Sequence, residues 1–385
     1  MSIRTHRFSS APVRRVLATF GLVLAAGLLA ACSSGAKKPT PAELPPVAAL
    51  MGTQLAWSAQ VGESRVSLAP LVAAGRVFVA GNAGTVAALD AATGKDVWRL
   101  NLGTPIAAGV GSDGQTAAVI TGNNQLVAIA DGREIWRVRL LARSFTAPLV
   151  AGQRVFVLSA DRTVTAFDGK NGARLWSQNR PAEPLVLSQT GALLAVGDTL
   201  VAGLSGRLVG LNPVNGAVRW ETAVANSRGT NEVERLVDIV GPVSRIGNSV
   251  CARAYSAAVG CVDASRGTTV WTRAAQGVTG VHGDDRLVFG SETDGRFQAW
   301  QRSSGEPAWN IDRLKYRGLS APLALGRVVA VGDSAGLVHL ISREDGSEMT
   351  RLTTDGSAIL AAPVLAGDAL VVQTRNGGVF AWRPQ

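Results

Sequence analysis

An eight-bladed β-propeller is the fold class that this 385-residue sequence predicts, and two independent periodicities predict it. The first is a tryptophan slot that recurs about every forty residues, at Trp57, Trp98, Trp136, Trp176, Trp220, Trp271 and Trp309, with Thr350 taking the eighth place. Seven of these stand four residues after a glycine, from Gly94 to Gly346. The second is a set of eight tight turns made of other residues: GNAGTV, GNNQLV, SADRTV, LSGRLV, YSAAVG, TDGRFQ, DSAGLV and RNGGVF. A period in this range marks an array, because one repeat cannot bury its apolar face alone.

The unit from Ala69 to Leu102 shows what each repeat contains. Short valine-rich runs at Leu71-Val72, Arg76–Ala80, Thr85–Leu89 and Asp96–Leu102 alternate with Gly, Asn and Asp clusters, which is the signature of strands and turns. Four strands per forty residues make one propeller blade. The final repeat stops at Ala381-Trp382-Arg383 without its outer strand, while Leu55–Ala59 is an outer strand with no hairpin before it. The N-terminal strand is therefore expected to complete the last blade, since an open ring would leave an unpaired sheet edge.

Residues 1–31 are read as a signal peptide. A basic stretch (Arg4, His6, Arg7, Arg14, Arg15) precedes the apolar Val16–Leu29, which is too short to span a membrane. Leu29-Ala30-Ala31-Cys32 looks like a bacterial lipobox, which would make Cys32 the lipidated first residue. Ser33 after it favours the outer membrane. One acyl chain binds membranes only marginally, so multiple acylation would make the anchor durable. Residues 32–52 read as a flexible Pro-rich tether, and 53–385 as the ring. The formal charge is +10, and the leader's four arginines leave +6 for the remainder. No Lys/Arg cluster with interleaved aromatics points to nucleic acid.

Cys251 and Cys261 flank one hairpin turn. Facing strand residues lie within disulfide range, and export to an oxidising compartment favours the bond. The alternative is a pair of buried free thiols. Gly332-Asp333-Ser334-Ala335-Gly336 matches a nucleophile elbow and Gly109–Gly114 a dinucleotide motif. Both stand at repeat turns, whereas those motifs need a strand-to-helix turn. Glu292, Asp294, Glu344 and Asp345 read as solvated turn carboxylates. With His282 and His339 the only histidines beyond the leader, no catalytic or metal constellation is expected and no cofactor is assigned.

The repeat is broken once, where Trp220 to Trp271 stretches to 51 residues through Asn226–Asp238. Asn179–Gln189 is a second long connection, carrying Leu185 and Leu187. Insertions in a repeat protein map to loops on one face, often the binding face; tolerated surface insertion is the other reading.

The motif Ala88-Leu89-Asp90…Gly94…Trp98 resembles the quinoprotein dehydrogenase repeat, in which the tryptophan docks between blades. With the lipobox and Thr230-x-Glu232-x-x-Arg235-Leu236-x-Asp238, the whole chain resembles the BamB family, lipoproteins of the β-barrel assembly machinery. That resemblance implies a non-enzymatic scaffold on the periplasmic face of the outer membrane. Its partners would be the POTRA domains of BamA, other Bam lipoproteins and, by pairing at a blade edge, unfolded outer-membrane proteins. It places partner contacts at Leu185, Leu187, Ser188, Arg235, Asp238 and Ile239, with Glu232 shaping the loop. Ser188 and Val240 depart from the family's arginine and aspartate, which shifts the expected weight to Leu185, Leu187 and Ile239. The rivals are a generic periplasmic ligand-binding propeller and a quinone-dependent dehydrogenase, whose calcium and aspartate base would lie at the ring axis.

Overall fold

In a computed structural model, residues 1–4, 39–47, 49–180, 185–227, 231 and 236–385 are described. They contain strands and no α-helix, and no helix among them is long and apolar enough to cross a membrane. Residues 41–385 form one compact unit. Residues 5–31 of the leader and Cys32 lie outside the described residues, as do Glu232 and Arg235.

The unit holds eight four-stranded antiparallel sheets. Blades one to seven span 71–101, 106–139, 149–178, 193–223, 239–274, 282–311 and 323–353. Blade eight takes three strands from 364–384 and its outer strand from Thr53–Gln60, which pairs with Gly378–Pro384. The ring is thus closed by the N-terminal strand, as the unpaired outer strand predicts. Each middle strand reads almost fully buried, as in Arg76–Ala80 and Leu287–Ser291. Such strands have a neighbouring sheet on both faces. The apolar core is accordingly eight layers, one in each seam between adjacent blades, including the closing seam between blades eight and one.

The tryptophans and glycines belong to different blades at their point of contact. Trp57 of blade eight lies on Gly94 of blade one, and the pattern repeats to Trp309 of blade six on Gly346 of blade seven. The glycines have positive φ, and a Cβ on any of the seven would come within 2.9 Å of the tryptophan side chain. That approach requires glycine on both conformational and steric grounds. Five of the indoles also donate their N–H across the seam: Trp57 to the Ala91 carbonyl, Trp136 to Gly169, Trp176 to Pro213, Trp271 to Arg302 and Trp309 to Arg343. The seam is therefore closed by burial and by a directional bond together.

Cys251 and Cys261 are register partners on adjacent strands of blade five, fully buried and joined as a disulfide. The closed loop is short, so the bond contributes at most about 3 kcal/mol. The segment expected as a flexible tether is bound to the ring in its second half. Ala42 N–H donates to the Lys315 carbonyl and Leu50 N–H to Met349, while Leu44 packs on the layer between blades six and seven.

Candidate functional site

The two long connections converge through a residue that neither contains. Arg162 stands in the hairpin turn of blade three at φ 63°, 8% exposed. Its guanidinium donates to the Leu185 carbonyl at 2.9 Å and lies 3.5 Å from Asp238 Oδ1. Asp238 Oδ2 accepts the Leu187 N–H at 3.1 Å. The connection into blade four and the end of the insertion before blade five are thus pinned to each other and to blade three. A charge-assisted bond to a carboxylate and a backbone carbonyl is the strong kind of side-chain hydrogen bond. Only about 50 Å³ of space remains between them, bordered by Phe145, Arg162, Leu187 and Asp238. This is room for water and far below a ligand site.

The expected contact residues separate into two groups. Leu185 and Ser188 are exposed and Leu187 is half-buried. Asp238 is turned inward on Arg162 and Leu187, so it shapes the loops. Ile239, expected to face a partner, is instead a packing residue: it is 3% exposed and fills the space above Gly203, where a Cβ would stand 2.6 Å from its own. Arg162 was missed in the sequence. A cation in the turn SADRTV was no distinguishing signal, since LSGRLV, TDGRFQ and RNGGVF carry one as well.

The axis of the ring opens on the same face. An axial cavity of about 400 Å³ is lined by the innermost strands of blades two and five and by the connections into the other six, with Phe145 and Gln189 shared with the Arg162 site. Its lining is neutral apart from Arg65, and it has no carboxylate. Calcium is held by six to eight oxygens, with carboxylates prominent among them. The axial residues therefore do not fit a quinone–calcium centre. Among the described residues no group of three or more His, Cys, Asp or Glu converges on a metal position.

The elbow-like Ser334 lies in a turn between two strands, Val328–Gly332 and Leu337–Ser342, not before a helix. His339 is nearby, but both its ring nitrogens are taken, Nε2 by Asp333 at 3.1 Å and Nδ1 by Glu348 at 3.0 Å. It has no nitrogen left to activate a serine. Gly109–Gly114 likewise leads from strand to turn to strand. Glu344 and Asp345 are exposed, and Asp294 is partly exposed in its turn, paired with Arg296. Glu292 is a correction: it is buried and paired with Arg253, which is itself fully buried.

The buried His339 and the half-buried His282 set the pH dependence of stability. Burial pushes His339 down, but its hydrogen bonds to Asp333 and Glu348 outweigh this and raise it above its ordinary value of 6.5. Its contribution is full below pH 6.5 and lost as pH rises through the raised value. His282 is lowered to about 4 by burial and then by Arg302, and its Nδ1 accepts the Ala324 N–H at 3.1 Å. Its contribution is present above pH 6.5 and lost on acidification toward 4, amounting to about 3 kcal/mol over that window. The urea midpoint is therefore expected to peak near pH 6.5, and His339→Gln should flatten the alkaline side. A wild-type midpoint that climbs steadily from pH 6.5 to 8.5 would contradict the His339 pairing.

A family model described as outer membrane protein assembly factor BamB matches residues 82–311. The outer membrane protein assembly factor BamB of Burkholderia pseudomallei (strain K96243) is 38% identical over 381 residues, covering 97% of this chain and 99% of that protein. The crystal structure of BamB from Moraxella catarrhalis superposes with a TM-score of 0.78 at 27% identity, covering 86% of this chain and 100% of that one. Quinohemoprotein alcohol dehydrogenase from Comamonas testosteroni matches with a TM-score of 0.66 at 14% identity, over 87% of this chain and 77% of that one. At that identity the likeness shows the fold alone.

Proposed function

The chain belongs to the family of outer membrane protein assembly factors BamB, and from that premise we propose that it is a non-enzymatic scaffold in the assembly of outer-membrane β-barrels. It holds the periplasmic POTRA domains of BamA through the connection that carries Leu185, Leu187 and Ser188. The observation that supports this reading is the Arg162–Asp238 pin, which fixes the backbone behind Leu185 while leaving its side chain 38% exposed. An apolar anchor presented on an ordered loop loses little entropy on binding. Arg235 and Ser188 would add polar contacts at the edge, and Glu232 would shape the insertion. Cys32 would carry the lipid that keeps the ring at the periplasmic face of the outer membrane, beside other Bam lipoproteins.

The scaffold reading is favoured over a dehydrogenase by the axial lining, which offers one arginine and no carboxylate. In cells, a photo-crosslinking residue at position 185 is expected to capture BamA. The same residue at Val270, exposed on the outer strand of blade five, should not. Equal capture at both positions, or none at 185, would count against this face.

A further inference from the structure

One seam of the ring is built differently. Between blades seven and eight the slot that carries tryptophan elsewhere is Thr350. The strand register identifies what a ring at this place would meet. In blade seven Ile341 pairs with Glu348 beside the bulge; Gly346, two residues before Glu348, lies under Trp309, and the Arg343 carbonyl takes its N–H at 2.8 Å. In blade eight Trp382 pairs with Leu55 beside the corresponding bulge. The equivalents of Gly346 and Arg343 are therefore Thr53 and Pro384.

Both of those residues line a cavity of about 410 Å³. Leu340, Met349 and Leu352 form one wall, and Met51, Leu370 and Trp382 the other. This volume lies within the range of small-molecule sites. Met51 and Met349 are the only methionines besides Met1, and methionine adapts its shape to a bound apolar group. Arg327 and Arg383 stand at the rim. Arg383 is paired with Asp368 at 3.1 Å, whereas Arg327 is exposed and makes no ion pair among the described residues. Thr53 and Pro384, which an indole at position 350 would meet, thus border the same cavity as Arg327, while its one carboxylate, Asp368, is taken up by Arg383.

We propose that this seam binds a planar aromatic anion, its ring body in the slot left by Thr350 and its acidic group toward Arg327. The apolar walls supply the binding energy by burial, and the guanidinium selects an anion over a neutral aromatic.

Isothermal titration of the full chain with indole-3-acetate tests this, with neutral indole as the comparison ligand. Saturable one-to-one binding is expected, at least about tenfold tighter than indole. Thr350→Trp should fill the slot and abolish binding. Arg327→Gln changes an exposed side chain, so its fold is secure even where the filled variant fails to fold. It should weaken indole-3-acetate about tenfold and leave indole unchanged. No saturable binding up to millimolar ligand would overturn the proposal, as would Arg327→Gln binding indole-3-acetate as tightly as wild type. Indole binding as tightly as indole-3-acetate would overturn the anionic assignment, and undiminished binding by folded Thr350→Trp would overturn the slot.

Discussion

Replacing Glu292 by alanine is expected to destabilise the ring by about 3–5 kcal/mol, read as a fall in the urea midpoint at pH 7. Glu292 Oε1 accepts from both terminal nitrogens of Arg253, at 3.2 and 3.3 Å, and its other oxygen accepts the Gln276 N–H. Arg253 is fully buried, 5.9 Å above the Trp300 ring. Its space is made by Gly277 and Gly290, where a Cβ would stand 2.0 and 2.6 Å from the guanidinium nitrogens. Without Glu292 a cation is left in an apolar seam with no carboxylate to balance it. The penalty is the orphaned charge, not the worth of the pair. Arg253→Met combined with Glu292→Ala should therefore recover much of the loss, and a double-mutant cycle separates the two. A loss below about 1 kcal/mol for Glu292→Ala alone would mean that water reaches this seam.

Trp271→Ala carries the second large effect, about 3–5 kcal/mol. The ring is 7% exposed, lies on Gly305 and donates to the Arg302 carbonyl at 2.7 Å. It packs with Cys251, Cys261, Val288 and Trp300, so its removal opens a hole between blades five and six that rigid sheets cannot close. Gly305→Ala should act on the same contact from the other side, because its Cβ would fall 2.5 Å from the ring at a φ of +72°. If the seam works as described, the two substitutions combined cost less than their sum. Full additivity would mean that they act on separate contacts.

The blades were legible because each repeat writes the same strand-turn pattern in its own residues. The closing strand was legible because Leu55–Ala59 had no hairpin of its own. What crosses between repeats was less so. Tryptophan and glycine stand four apart in sequence, yet each touches its counterpart in the next blade. Glu292 reads as a turn carboxylate because its partner Arg253 lies 39 residues away in another blade. Arg162 escaped notice for the same reason, its carboxylate being 76 residues distant. Ile239 follows Asp238 directly, but it opens the strand Ile239–Ile246 and is buried by its packing over Gly203, a contact 36 residues away in sequence. The bound half of the tether was hidden by composition: Pro-rich sequence predicts extension, and extended backbone is also what hydrogen-bonds along a ring.

The most direct test of the scaffold account is a titration of the POTRA domains of its own organism's BamA with the wild-type chain and with Leu185→Ala/Leu187→Ala. Saturable binding is expected, weakened at least about thirtyfold in the double variant, since a few buried anchors dominate such interfaces. Arg162→Ala should weaken it as well, by unpinning the loop without removing a contact. Wild-type affinity in the double variant, or no binding by the wild type, would contradict it.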